Sequence, residues 1–524
     1  MATDRRTFLA GSITSTILAI LGSNPAYAFT RQSGLVLGRA QPFSFERLLH
    51  LAQHLSRSAY IAPRPPAAAL VQSLDFDLVQ QISYKPNDAL WAKGPGHFPV
   101  RFFPLNRFDN IPVTVHVLDG EYARPVIYRS DYFNYGDTGL AAKLPPDIGF
   151  SGFRIMDGPK SNTDWLAFQG ASYFRTAGAE NQYGLSARGI AVDTALSTKE
   201  EFPRFSQFWI SEQPDQPHVV LVYALLEGPS LTGAYKIRSI FGPRGAVMEI
   251  EAQLFFRQDI RRLGIAPLTS MFWYCNTDYW KRTDWRPAVH DSDGLSLWTG
   301  HGERIWRPLN NPATLQVNSF EDVNPKGFGL LQRDRAFSNY EDDGAFYNRR
   351  PSVWVEPLEP WGPGVVQLVE IPTSDEIHDN IVAYWLPKHA IKAGNQMRLA
   401  YRLYWQNHQP FRPKHVAEVV ATRIGEGGIP GQPAKANVRK FVIDFSGGPL
   451  STMKRRYDLK PVVTTSRGTP TGLAVIPVRG TKIWRVFFDL PVEGTAPIDL
   501  RCYIPLGTGA LTETWLYQYF PGPL

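Results

Sequence analysis

The chain has 524 residues, 43% of them apolar, with a net charge of +7 and two cysteines. That length sets a prior of about two to four domains, and the scattered basic excess excludes the basic stripe of a nucleic-acid-binding surface. The 14 Trp and 22 Tyr within a 13% aromatic content admit two readings: rings that stack on the C–H faces of carbohydrate, or the ordinary demand of large β-sheet cores.

In chain order, the first element is an export signal. Asp4-Arg5-Arg6-Thr7-Phe8-Leu9 precedes a moderately apolar run from Ala10 to Leu21 and a small-x-small site at Ala26-Tyr27-Ala28. Paired arginines followed by Phe-Leu point to the bacterial twin-arginine route. The apolar run is short and broken by Gly11, Ser12, Thr14 and Ser15, which argues against a membrane anchor. A mature chain of about 495 residues is expected to begin near Phe29 in the periplasm, with no later segment able to span a bilayer.

A helix is expected at Phe45–Ser58, where Leu48, Leu49, Leu51, Ala52 and Leu55 recur at helical spacing. From there the chain reads as short strands. Ile111–Val117, Val219–Leu225 and Val247–Leu254 are β-branched or alternate in polarity. Turn signals such as Glu227-Gly228-Pro229 and Phe241-Gly242-Pro243 separate the strands. With 43 Gly and 43 Pro and no regular repeat, the fold class is all-β. Cys275 sits in an apolar-aromatic run after Met271-Phe272-Trp273-Tyr274, far in sequence from Cys502. Two free thiols are expected, with a long-range disulfide left open by the oxidising compartment.

Asn407-His408-Gln409-Pro410-Phe411-Arg412-Pro413 reads as a linker. After it, strands near Val416–Thr422, Arg439–Asp444, Val462–Thr465, Trp484–Leu490 and Asp499–Tyr503 suit one immunoglobulin-like sandwich of roughly 110 residues. The expected division is therefore a signal over 1–28, one oversized β-sandwich over 29–408 and an immunoglobulin-like domain over 409–524.

Nucleophile elbows, zincin motifs, Cys-x-x-Cys pairs and phosphate- or dinucleotide-binding glycine patterns are all absent. The 11 histidines form no zinc pattern. Asp291-Ser292-Asp293-Gly294 resembles the start of a calcium loop, but Gly302 stands where the bidentate glutamate would be needed. No cofactor or metal is expected. What remains are acidic loops feeding Trp-bearing strands: His290-Asp291-Ser292-Asp293-Gly294 before Leu295–Trp298, and Asp375-Glu376-Ile377-His378-Asp379-Asn380 before Ile381–Trp385. Glycoside hydrolysis needs two carboxyl groups, one protonated toward the leaving oxygen and one ionised. Asp and Asn that merely end strands in turns are the competing explanation.

Gly170-Ala171-Ser172-Tyr173-Phe174-Arg175, Gln182-Tyr183-Gly184-Leu185-Ser186-Ala187-Arg188-Gly189, Leu263–Met271, Asn324–Leu330, Arg350–Pro357 and Thr512–Gln518 resemble the OpgG/OpgD (MdoG/MdoD) family of periplasmic glucan biosynthesis proteins, over essentially the whole mature chain. The resemblance implies a galactose-mutarotase-like β-supersandwich joined to an immunoglobulin-like domain. It further implies action on osmoregulated periplasmic glucans with a β-1,2-linked backbone, through anomer-inverting cleavage. By motif, Asp379 matches the family's general acid and Asp291 its base, reached through a relay of water and a sugar hydroxyl. Tyr347 matches a tyrosine near the reacting sugars, and Arg350 and Trp354 complete the expected substrate-binding set. One departure stands out: the loop Gly425–Lys435 is short and lacks the Trp that shields the water relay in hydrolytic members, which favours a sugar hydroxyl as acceptor and possible ring closure over water. The rival reading is a non-catalytic glucan-binding scaffold. Association with the inner-membrane glucan synthase, and a homodimer, stay open.

Overall fold

The computed structural model describes residues 30–522 apart from 33, 93–97, 159, 214, 278–282, 430, 433–436 and 508. The expected export signal therefore lies outside the described residues, as does part of the loop Gly425–Lys435. The chain is all-β, built mainly on a ten-stranded and a fifteen-stranded sheet.

Period-two patterning explains why the two large sheets face each other. In Gly245–Phe256, Met248, Ile250, Ala252 and Leu254 are buried, while Glu249 and Glu251 on the opposite face pair with Arg238, Arg402 and Lys236 at 2.9–3.2 Å. The buried set packs with Phe153, Trp165 and Phe168 of the ten-stranded sheet in one core. Burial of Met248, Ile250, Leu254, Phe153 and Phe168 contributes about 1.5–3 kcal/mol each. The helix spans Phe45–Ser56, two residues short of expectation. Ser44 caps it by accepting from the Arg47 N–H at 3.2 Å. Leu48 and Ala52 cover the outer face of the larger sheet against Leu225 and Ala234.

Leu263–Ser270 is buried along its whole length near the middle of the ten-stranded sheet. Pro267 cannot donate a ladder hydrogen bond, and a central strand tolerates it only at an irregularity. The register indeed slips between Ile265 and Leu268, with Ala266 at φ +48°. This bulge sets the exit of the strand at Ser270, where the site begins.

The four-stranded sheet of Glu418–Glu426, Val438–Ser446, Trp484–Pro491 and Thr471–Pro477 packs on Val462–Thr465, Ile498–Tyr503 and Thr514–Tyr519. Phe441, Val486 and Phe488 meet Leu500, Cys502 and Trp515 in a second core, forming a small sandwich in the C-terminal part of the chain. One feature has no sequence signal. Thr514–Tyr519 pairs in parallel with Arg304–Pro308 of the larger part, so three strands of the small sandwich extend the fifteen-stranded sheet. Cys275 and Cys502 are not joined in a disulfide. Among the described residues no helix is long and apolar enough to cross a membrane.

Candidate active site

Three consecutive residues at the end of the central strand assemble the site. The carbonyl of Ser270 accepts from the Asn380 N–H at 3.1 Å, and the carbonyl of Met271 accepts from the Asp291 N–H at 2.8 Å. The Phe272 N–H donates to Asn380 Oδ1 at 2.8 Å, and Asn380 Nδ2 returns a bond to the Phe272 carbonyl at 2.9 Å. Ser270 and Ser292 add a buried hydroxyl bond of 2.9 Å. Two acidic loops far apart in sequence are thus hung on one short segment, which brings Asp291 and Asp379 close enough to feel each other's charge.

Their environments differ. Asp291 is 4% exposed and forms an ion pair with Arg350. Burial raises its pKa, and the guanidinium pulls against that. Arg350 is held in turn: Nε and Nη2 donate to the Ala345 carbonyl at 3.3 Å, and the guanidinium lies 4.1 Å above the Tyr347 ring. A Cβ on Gly184 would stand 3.0 Å from the Arg350 side chain, so this glycine makes room for the clamp.

Asp379 is exposed at the surface, although protein atoms crowd its carboxyl closely enough to displace much of its water. Its carboxyl makes no hydrogen bond or ion pair among the described residues. Loss of bulk solvation, and then the charge of Asp291, push its pKa up to about 6, against the pull of Arg175, Arg188 and Arg350. One buried, arginine-held carboxylate and one unpaired, elevated carboxyl group, each within reach of the other's charge, are a workable base and acid.

Tyr347 is 2% exposed, and its hydroxyl donates to Glu376. Arg286 grips the same carboxylate at 2.9 and 3.0 Å and also binds Asp342 at 2.7 Å. Partial burial acts to raise Glu376, but the bonds from Arg286 and Tyr347 hold it below the ordinary glutamate range. Gln332 ties the back of the site together, donating to the carbonyls of His290 and Tyr347 at 2.9 and 3.0 Å and bonding His290 Nδ1 at 2.9 Å. Burial lowers His290 to about 4, leaving the ring neutral.

Asp379, Asp291, Tyr347 and Arg350 therefore come together, but Trp354 does not. It is 1% exposed and packed in the second core with Trp306 and Trp515, so its ring has no face free for a sugar. Trp165, Trp385, Trp405 and Trp515 are also fully buried, so these rings serve the β-sheet cores, the second of the two readings of the aromatic content. Asp293 belongs to a different surface, a cavity of about 620 Å³ between the two sandwiches, where the N–H groups of Arg333 and Asp334 hold one of its oxygens. Among the described residues no three His, Cys, Asp or Glu side chains converge as a metal site. Sequence reasoning missed Tyr173, Arg175, Arg188, Arg286 and Glu376. The first three stand in stretches singled out by the resemblance. Nothing local in the sequence marks Arg286.

Comparison with known proteins gives a consistent result. The family described as "Periplasmic glucan biosynthesis protein, MdoG" matches residues 43–519. "Glucans biosynthesis protein D 2" of Ralstonia nicotianae is 48% identical, covering 99% of this chain and 98% of its own. "Glucans biosynthesis protein D" of Stenotrophomonas maltophilia is 44% identical, with the same coverage. Among solved structures, the galactosidase domain of alpha-galactosidase-sucrose kinase covers 62% of this chain and 41% of that one at 11% identity, with a TM-score of 0.24, too slight a likeness to bear on fold or function.

Proposed function

The chain belongs to the family of periplasmic glucan biosynthesis proteins, and on that premise we propose that it is an enzyme that cleaves β-1,2-glucan with inversion and passes the cleaved chain to a sugar hydroxyl. The observation that carries the proposal is the unpaired carboxyl of Asp379, raised to about 6, beside the buried, arginine-held Asp291.

Asp379 donates its proton to the glycosidic oxygen as the C1–O bond breaks. An acceptor oxygen attacks C1 from the opposite face, and its proton passes through an intervening hydroxyl to Asp291. Burial suits Asp291 to the accepting end, because it raises the carboxylate's affinity for a proton. Balance is complete: one proton leaves Asp379, one arrives at Asp291, and solvent restores both. Tyr347, fixed by Glu376, and Arg350 line up the base. The short, Trp-free Gly425–Lys435 loop supports a sugar acceptor over water, since a sugar needs room that a closed water channel denies.

A second reading, a glucan-binding scaffold without turnover, draws support from the Asp291–Arg350 pair, because a carboxylate so occupied also fits a purely structural role. Incubation of the purified protein with linear β-1,2-glucan separates the possibilities. Transfer to a chain's own end yields a product lighter than the linear glucan by one water, without new reducing ends. A steady rise in reducing ends with linear products means hydrolysis and overturns the sugar acceptor. Binding with no change in product leaves the scaffold.

A further inference from the structure

Two adjoining hollows, of about 390 and about 190 Å³, share Phe108, Asp109, Gly170 and Ala171 in their walls. The larger is also lined by Tyr173 and Arg175, the latter a residue whose charge acts on Asp379. The smaller is also lined by Phe202 and Arg204. Arg188 bridges the two regions, its guanidinium 4.7 Å from the Tyr173 ring and 5.3 Å from the Phe202 ring. Contact is therefore continuous from beside the acid to Phe202.

Phe108 is 77% and Phe202 50% exposed. Single exposed rings are ordinary, but these two border one groove with polar groups between them. Asp109 Oδ1 accepts no hydrogen bond among the described residues, while Oδ2 receives only a long one, 3.4 Å, from Asn106. Arg204 spends Nη2 on the carbonyls of Ile111 and Pro112 and keeps other donors. The backbone is shaped to admit this carboxylate: a Cβ on Gly170 would stand 2.6 Å from Asp109 Oδ1. Ala171 follows at φ +38°, a strained conformation of the kind retained at ligand sites.

We infer that this groove binds further glucosyl units of the chain being cleaved, with Phe108 and Phe202 covering sugar faces and Asp109 and Arg204 taking up hydroxyls. The inference rests on the reading of Asp379 and Asp291 as a glucan-cleaving pair, and it makes the protein selective for long chains. Hydroxyl-rich sugars with apolar C–H faces are the ligand class that uses exposed rings and free polar groups together. The test is calorimetric titration of the intact protein with long linear β-1,2-glucan and with oligosaccharides too short to span from Asp379 to Phe202. Phe108→Ala and Phe202→Ala should each weaken binding of the long glucan about fivefold to tenfold, the usual worth of a covered apolar contact. The short oligosaccharides should bind and turn over unchanged, and Phe108→Trp and Phe202→Tyr should keep long-chain affinity. Unaltered long-chain affinity in the double alanine variant overturns the inference alone, as does equal loss for short and long chains. If the unmodified protein binds no β-1,2-glucan of any length, the functional reading falls and the groove's role falls with it.

Discussion

Asp379 carries a cost that its chemistry explains. Its pKa rises to about 6 in the folded chain, so the stability it contributes is fully present below the ordinary carboxylate pKa and is lost as pH rises through about 6. An amide stays neutral throughout. Asp379→Asn is accordingly expected to melt above the unmodified protein at neutral pH, with the difference vanishing below about pH 4, while turnover falls about a hundred- to ten-thousand-fold. Calorimetry across pH, paired with product analysis, checks both halves; wild-type turnover in a folded variant would dismiss Asp379 as the acid. The same pKa predicts the alkaline limb of the activity profile, near pH 6, because the proton needed for the leaving oxygen is gone above it. Arg350 governs the acidic limb. Replacing it by Leu leaves the buried Asp291 without a counter-charge, which should cost about 3–5 kcal/mol of stability and move the acidic limb to higher pH, since the guanidinium's opposition to the burial-raised pKa is removed. An unmoved limb would mean that Asp291 does not titrate in catalysis.

Elements, rather than side chains alone, bring the two acids together. Asn380 is 2% exposed and touches no reacting group in the proposed mechanism, yet it holds Phe272 and Ile371 through hydrogen bonds of 2.8–2.9 Å. Asn380→Ala should leave buried backbone groups unpaired at about 1–3 kcal/mol each and let the Asp379 loop drift. Turnover should drop well beyond any change in glucan affinity, whereas an equal loss of both would reduce Asn380 to a packing role. The sequence made the local parts of this arrangement legible. Alternating polarity marked Val247–Leu254 within the strand Gly245–Phe256, a β-branched apolar run marked Val219–Leu225 within Val219–Glu227, and helical spacing marked Phe45–Ser58, of which Phe45–Ser56 is helical. Both acids stood in loops that resemblance could mark. Periodicity could not reveal that Ser270, Met271 and Phe272 would gather those loops, since the bonds are made by backbone atoms. Nor could it sort tryptophans that stack on ligand from those that fill a core: Trp354 and Trp385 read alike in sequence and are both buried. The short helices Ala68–Ser73 and Phe76–Gln80 escaped notice for a related reason, being too brief to show a period.

At the scale of the whole molecule, the small sandwich is not an appended module. Its strand Thr514–Tyr519 pairs with Arg304–Pro308 of the larger part, and Trp306, Leu331 and Trp354 complete its core. Glu513, 1% exposed in its side chain, accepts from Arg333 at 2.5 and 3.2 Å and from the Val419 N–H at 2.6 Å. Arg333 also lies 3.7 Å above the Trp306 ring. The seam reaches the site as well, because Thr277 donates to the Thr422 carbonyl at 2.9 Å, tying the segment after Phe272–Tyr274 to the strand that leads into the Gly425–Lys435 loop. Two parts that share a sheet and a core unfold together, so one thermal transition is expected rather than two. Removing Glu513 strands a buried arginine and a backbone donor, and Glu513→Ala should lower stability by about 3–5 kcal/mol while keeping that single transition. On the proposed reading, in which the short Gly425–Lys435 loop leaves room for a sugar acceptor, turnover should fall with it. Differential scanning calorimetry decides the matter: a variant that melts in two separated steps would show the sandwiches to be independent and would detach the loop from the control of the seam.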